Sequence, residues 1–447
     1  MSFKALPGFR DCYPDEFAFR AHLFAAFRTV AHRYGFEEYD GPPLEPLELY
    51  TAKSGDEIVA QLYAFTDKGG RAVALRPEMT PTLARMVAAR ANGLRKPIRW
   101  FSIPQLFRYE RQQRGRLREH FQLNCDLIGE PGPGGDAEII ALAVDVMRAL
   151  GLGPTDVRVR VSDRRLLTAI LGELGIPPAG TAPAWQYLDK LGRGEAERHR
   201  EALLAAGATE AQVEGLHGLR EVSAWADLEQ AFPEAAGAGA PLREVLDRLD
   251  AMGLGAFVDL DLTIVRGLAY YTGTVFELFD AGRSLRAICG GGRYDNLLEA
   301  VGGASLPALG FGMGDVVLGE LLRERGLAPA AAPAIDLFVA GIGPEDHAAA
   351  LGLAHDLRTA GWRVEYALAP QPLGRQLKLA DARGARAALV IGGEERARSA
   401  VLLKDLTAGG QREVALADLG ATLIDMLAGT AGAPPFPSPG DRPPTHG

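Results

Sequence analysis

Cysteine is scarce in this chain of 447 residues: Cys12, Cys125 and Cys289 lie far apart, with no CxxC pair. That usage argues against a disulfide framework or a thiolate zinc site and points to a reducing compartment. Long apolar runs are also missing. No stretch nears the roughly 18 uninterrupted apolar residues of a membrane span, so no membrane partner is expected. The opening residues, MSFKALPGFRDCYPDE, lack a signal-peptide core, and the expected location is the cytoplasm. Nor is there an excess of positive charge. With 48 Lys and Arg against 57 Asp and Glu, the net charge is −9. Global charge therefore does not advertise nucleic-acid binding, and no DNA partner is expected. Any RNA contact must come from local basic patches, whose reach is a Debye length of about 8–10 Å. There is no GxxxxGK[ST] sequence, so a nucleotide would not be held by a Walker-type loop. No His and Cys cluster suggests a catalytic metal. What is present is ordinary for a globular protein, with 47% hydrophobic and 23% charged residues and length for two or three domains.

Apolar spacing (Phe17, Phe19, Leu23, Phe24, Phe27, Val30, Ala31) predicts a long amphipathic helix over residues 15–33, then a short strand ending at Pro42-Pro43. Residues 61–66 and 71–75 read as a hairpin turned by Asp67-Lys-Gly-Gly. Thr80 is placed as the N-cap of a helix with Pro81 at its first position. A helix over 137–150 and a strand over 157–162 follow. Residues 164–255 are rich in Ala, Leu and Glu and read as a helical insertion. Strands are expected again at 257–262, 270–279 and 285–289, then a glycine-rich strand end and a helix over 314–325. The composition of residues 326–334 marks a linker. Strand–helix alternation over 335–429 predicts a small α/β domain, and residues 430–447 are expected to be disordered.

The most informative segment is residues 98–129, IRWFSIPQLFRYERQQRGRLREHFQLNCDLIG. It reads as a strand (99–108), a loop, and a strand (120–128), with Arg108, Arg111, Arg114, Arg116 and Arg118 between. Such a hairpin is suited to gripping phosphate oxygens bidentately, although a solvated charged hairpin would look the same in isolation. Its companions are Arg76-Pro-Glu78-Met-Thr80, Arg266-Gly-Leu-Ala-Tyr270-Tyr271 and Gly290-Gly-Gly-Arg293-Tyr294-Asp295. Together these motifs resemble the catalytic domain of class II aminoacyl-tRNA synthetases, and among them the histidyl-tRNA synthetase family, over residues 7–427. The resemblance implies an α+β fold. Its catalytic domain would be an antiparallel sheet flanked by helices (residues 1–325, with the insertion at about 164–255), followed by an anticodon-binding α/β domain (335–429). The implied assembly is a homodimer, with the interface built by the first helix, strand and proline.

The implied reaction joins histidine to ATP, which arrives with Mg2+, and passes the histidyl group to histidine tRNA. The amino-acid carboxylate attacks the α-phosphate in line. It is already an anion, so the protein's task is to overcome the repulsion between two negative groups rather than to supply a base. By resemblance Arg108 and Arg266 are catalytic, gripping the α-phosphate and the carboxylate, and with Glu110 and Gly292 they bind ATP. Glu78, Thr80 and Gln122 would hold the ammonium of histidine. Its two ring nitrogens need a partner each, supplied by Asp126 and Tyr271, with Tyr270 shaping the pocket. Gln113, Arg114, Arg116 and Arg118 would face the tRNA acceptor stem. Gly290, Gly291 and Gly292 resemble the family's glycine-rich pocket floor.

Three positions depart from the family pattern. Aspartate replaces the commoner glutamate at Asp126, and Ala269 stands where the family usually carries aspartate. Val317 falls where motif 3 normally places an arginine on the γ-phosphate. Arg286, Arg293 or a hairpin arginine would then have to supply the charge. Val317 and Ala269 would also suit a catalytically silent histidine sensor like the regulatory subunit of ATP phosphoribosyltransferase. Arg108, Arg266 and a C-terminal domain that such subunits generally lack favour the enzyme.

Overall fold

The computed structural model describes residues 3–51, 56–111, 114–191, 196–265, 271–282, 284–300, 302–329 and 334–428. Arg266, Ala269, Tyr270, Gln113 and the expected disordered tail (430–447) lie outside the described residues. The chain divides into two compact units, residues 1–329 and 330–447.

The first unit is organised by a nine-stranded sheet. Its strands are β1 (Glu37–Glu38), β2 (Ile98–Ser102), β3 (Gln105–Phe107), β4 (Glu119–Ile128), β5 (Val157–Asp163), β6 (Val258–Leu260), β7 (Thr274–Asp280), β8 (Cys289–Arg293) and β9 (Ala308–Gly314). Spatially the order is β1-β2-β4-β9-β8-β7-β5-β6, with β3 pairing the start of β4. All pairs are antiparallel except β1–β2 and β5–β6 at the two edges. Register puts Trp100, Asp126, Gly310, Gly292 and Val275 in one row across the sheet, and Ser102, Asn124, Gly312, Gly290 and Glu277 in the next.

Successive side chains on a strand point to opposite faces, and here the two faces differ in chemistry. One carries Phe101, Leu123, Cys125, Leu127, Leu309, Phe311, Met313, Phe276 and Leu278, all buried in a single core. Helices α1 (Pro14–Arg33) and α3 (Pro133–Ala149) cover it; between them in the chain lies α2 (Thr80–Arg90). Helix α3 starts at Pro133 behind Gly132 and is buried on nearly every side, as expected of a helix apolar all round. Helix α4 (Ala240–Ala251) belongs to the expected insertion and contributes Leu242, Val245 and Leu249 to the same core. Helix α5 (Asp315–Glu324) follows β9 directly.

Several local expectations are corrected. The first hairpin strand is two strands, because Ile103-Pro104 interrupts the run and proline cannot donate to the ladder. Thr80 is the first residue of α2 rather than its cap, since Met79 before it already has helical backbone (φ −95°, ψ −25°). The strand expected at 285–289 begins only at Cys289 and consists largely of the glycines themselves.

Arg293 does not supply charge to the other face. It alternates with Gly292 and so points toward α3. There its Nη2 donates to Asp136 at 2.6 Å, while Nη1 and Nη2 donate to the Glu130 and Gly132 carbonyls at 2.9 and 3.0 Å. Both side chains of the pair are almost fully buried. Breaking such a pair strands a charge.

The second unit is a five-stranded sheet in the order Val364–Tyr366, Leu337–Gly341, Ala387–Ile391, Ala400–Asp405, Gln411–Ala415. The first three are parallel and the last two antiparallel. Among the described residues no helix is long and apolar enough to cross a membrane.

Arg293→Met should therefore cost about 3–5 kcal/mol of stability, and adding Asp136→Leu should recover much of it. Denaturant unfolding of the two single variants and the double variant checks this; a double loss equal to the sum of the two single losses would show that the pair is not coupled.

Candidate active site

The other sheet face is a trough. Its floor is glycine on β8 and β9, and polar side chains from β4 lie across it. A methyl group on Gly310 would sit 2.4 Å from Asp126 Oδ1, and one on Gly312 would sit 2.3 Å from Gln122 Nε2. A methyl group on Gly292 would lie 2.9 Å from the Tyr271 ring. The absent side chains are what let Asp126, Gln122 and Tyr271 rest against the sheet.

Asp126 is 2% exposed, and its Oδ1 accepts a short hydrogen bond from the Tyr294 hydroxyl. Its Oδ2 is buried with no hydrogen-bond partner among the described residues, as is Asn124 Oδ1. A buried polar atom without a partner is costly, so this end of the trough is prepared for a ligand rich in donors. Burial pushes the Asp126 carboxyl up to about 7, against the hydrogen bond from Tyr294, which favours the anion.

The opposite end is cationic. His120 lies two residues before Gln122, and its imidazole is held down at about 3 by burial and by the charges of Arg108, Arg10 and Arg116. It stays neutral across physiological pH while reporting how close those guanidinium groups are. Arg108 faces Arg118 across the hairpin, its backbone N–H donating to the Arg118 carbonyl at 3.0 Å. Its Nε donates to the Pro77 carbonyl at 2.9 Å, which ties the hairpin to the segment carrying Glu78. Arg76 fastens that segment further, donating to Asp40 and to the Gly41 and Gln105 carbonyls. Glu78 and Thr80 are both largely buried. Glu110 is buried and paired with Arg116, and Arg118 stacks on Tyr109 while donating to the Glu110 carbonyl. Arg114 reaches α5, pairing with Glu320 and Glu324.

The structure thus gathers Gln122, Asp126, Tyr271 and Gly292 around the trough, and Arg108, Glu110, Arg114, Arg116 and Arg118 on the hairpin beyond it. It adds residues to which the sequence assigned no role. Tyr294 braces Asp126, and its place in the Gly-rich motif was the available signal. Asn124 sits between two expected site residues on the same face, which alternation alone would have shown. Arg10 had no local signal: it donates to Glu119 at 2.6 Å and to Asp315 at 3.0 Å, groups remote in sequence.

An antiparallel sheet with this floor, crossed at one end by an arginine hairpin and followed by a separate α/β unit, is the architecture of a class II aminoacyl-tRNA synthetase. A family model described as histidyl-tRNA synthetase matches residues 8–314, and one described as anticodon binding domain matches residues 336–426. The chain is 45% identical to the histidine–tRNA ligase of Opitutus terrae, over 96% of this chain and 99% of that one. It is 39% identical to the chloroplastic/mitochondrial histidine–tRNA ligase of Arabidopsis thaliana, over 92% of this chain and 85% of that one. Among solved structures, histidyl-tRNA synthetase from Nostoc sp. PCC 7120 superposes with a TM-score of 0.81 at 28% identity, covering 95% of this chain and 99% of that one. The chain belongs to the histidyl-tRNA synthetase family.

Asp126 offers a test that needs no substrate. Its folded pKa lies above the unfolded value of about 3.9, so the folded state holds the proton more tightly. Stability then falls as pH rises from about 4 to about 7. Asp126→Asn removes that loss. The variant should be more stable than the native chain at pH 8, on the order of 2–4 kcal/mol, with the advantage fading near pH 4. Unfolding at the two pH values reads it out; an advantage independent of pH would contradict the account.

Proposed function

We propose that the chain is a cytoplasmic, homodimeric histidine–tRNA ligase. It activates histidine with ATP to histidyl-adenylate and transfers the histidyl group to the 3' end of histidine tRNA. The observation that carries the reading is Asp126, a buried carboxylate held on one oxygen by Tyr294 with the other oxygen unpartnered among the described residues. The imidazole of histidine offers a ring N–H to that oxygen, and Tyr271 meets the second nitrogen. Gln122, Glu78 and Thr80 take the ammonium, and Tyr270 closes the pocket.

Along β4, Gln122 lies about 13 Å from Asp126, at roughly 3.3 Å per residue. The α-carboxylate of a histidine seated at Asp126 therefore points toward the arginine end. There Arg108 and Arg266 draw together the carboxylate and the α-phosphate of ATP, which Glu110 and Gly292 help position. Opposing two anions is the main barrier to this step, and fixed guanidinium groups in a site sheltered from water lower it. ATP arrives as its Mg2+ complex.

For transfer, the acceptor stem meets Gln113, Arg114, Arg116 and Arg118, whose present carboxylate partners give way to phosphates. The second unit meets the anticodon arm. Among the basic residues between 375 and 404 in that unit, Arg383, Arg396 and Arg398 are paired with Glu365, Asp346 and Glu413. Arg375, Lys378 and Lys404 have no such partner among the described residues, and they are the proposed phosphate contacts.

Histidine-dependent exchange of pyrophosphate into ATP is the test. Asp126→Ala should lower kcat/KM for histidine by a factor of about 10² or more, while the KM for ATP changes less than about twofold. Exchange that is absent, or that another amino acid supports equally, would overturn the reading; unchanged histidine kinetics in the variant would remove Asp126 from the pocket.

A further inference from the structure

Asn124 breaks two local rules at once. Asparagine is disfavoured in strands, and a buried carbonyl without a hydrogen bond costs stability. Yet Asn124 sits in the middle of β4, 5% exposed, and its Oδ1 has no partner among the described residues. Its neighbours across the row are Ser102 on β2 and Gly312 on β9, and neither gives that oxygen a hydrogen bond. A local rule broken without compensation is expected where a ligand supplies the missing contact.

Distances along the trough narrow what that contact is. A methyl group on Gly310 would strike the Asp126 carboxyl, and Gly310 lies in the row of Asp126 itself. A methyl group on Gly312 would strike the Gln122 amide, although Gly312 lies in the row of Asn124. On Gly314, which shares a row with Gln122, a methyl group would meet nothing within 4 Å. The Gln122 head group therefore leans out of its own row and comes to rest in that of Asn124. The two polar ends of the site are then one row apart, about 7 Å at roughly 3.3 Å per residue. In histidine the far ring nitrogen and the ammonium are separated by four carbon atoms, a span of about 5 Å at roughly 1.5 Å per bond. With a hydrogen bond at its ring end, the molecule reaches the row of Asn124 and no farther. Its donors are the ring N–H and the ammonium; the carboxylate has none to offer. Asp126 engages the ring, which leaves the ammonium for Asn124.

We infer that Asn124 is a specificity-determining residue of the histidine site, its Oδ1 accepting a hydrogen bond from the α-ammonium. The inference rests on the proposed function and deepens it. Glu78, Thr80 and Gln122 share the other two ammonium protons. Asn124 adds an acceptor without adding charge beside the buried Asp126, where a second carboxylate would disfavour the ionised form of both. An acceptor satisfied only on binding favours histidine over ring-bearing molecules that lack the amine.

The experiment is calorimetric titration of the full chain with three ligands: histidine, histamine, which lacks the carboxylate, and imidazolepropionate, which lacks the ammonium. Asn124→Leu keeps the branching of the side chain and removes the acceptor. It should weaken histidine and histamine about tenfold or more, while imidazolepropionate changes less than about twofold. Without ligand the variant should unfold at or above the native temperature, since the deleted oxygen had no hydrogen bond to lose. A merely structural role predicts the reverse. Asn124→Asp keeps an acceptor and should retain more affinity for histidine than Asn124→Leu. An Asn124→Leu chain with native affinity for histidine overturns the inference. So does equal weakening of all three ligands, or weakening of imidazolepropionate with histamine spared, which would put the amide on the carboxylate. An unaltered chain that binds imidazolepropionate as tightly as histidine overturns it too, because the ammonium is then not recognised. If the unaltered chain does not bind histidine at all, the proposed function fails and this assignment fails with it.

Discussion

The alternation of β4, β8 and β9 is the constraint on which the rest of the molecule depends. One face must be apolar enough to bury α1 and α3, and the other must be bare enough for a substrate to approach the backbone. Leu123, Cys125 and Leu127 serve the first need, while Gln122, Asn124 and Asp126 serve the second from the same ten-residue strand. A slip of one residue would exchange the two faces entirely. The glycines obey the same rule. Gly310, Gly312 and Gly292 clear the trough, whereas Gly291 clears the core side, where a methyl group would meet Phe276 and Phe311 at 2.7 Å.

Electrostatics divides the trough lengthwise. At one end a buried carboxyl is held near neutrality by desolvation; at the other His120 is kept uncharged by burial and surrounding arginines. An amino acid whose side chain donates hydrogen bonds and whose carboxylate must approach a phosphate fits that gradient in one direction only. The hairpin's ties to Pro77, Glu110, Glu320 and Glu324 hold its guanidinium groups near the site before any substrate arrives. Little reorganisation is then needed at the moment of reaction.

Much of this was legible in the sequence, because motifs and period-two patterning are local. The alternation in β4 gave its faces, the arginine hairpin suggested a grip on phosphate, and the glycine triplet resembled a pocket floor. The misreadings were those in which tertiary context overrides local preference. Residues 285–288 look like the body of a strand and the glycines like its end, yet β8 begins at Cys289 and runs through the glycines. Arg293 looked available for the site because its partner Asp136 lies on α3, far away in sequence. Arg10 was invisible for the same reason. The packing of the hairpin tip at Gly115 against Val317 and Arg286 depends on how the hairpin folds back, which no spacing rule encodes.

The central claim is that substrate recognition requires Gln122 and Asp126 to lie flat on a glycine floor. Gly312→Ala tests it most directly, because the nearest three atoms to the added methyl group all belong to the movable Gln122 amide. Calorimetric titration of that variant with histidine is the measurement. The account predicts a chain that unfolds at close to the native temperature yet binds histidine at least about tenfold more weakly, a loss of about 1.4 kcal/mol. A folded variant with native affinity for histidine would contradict it.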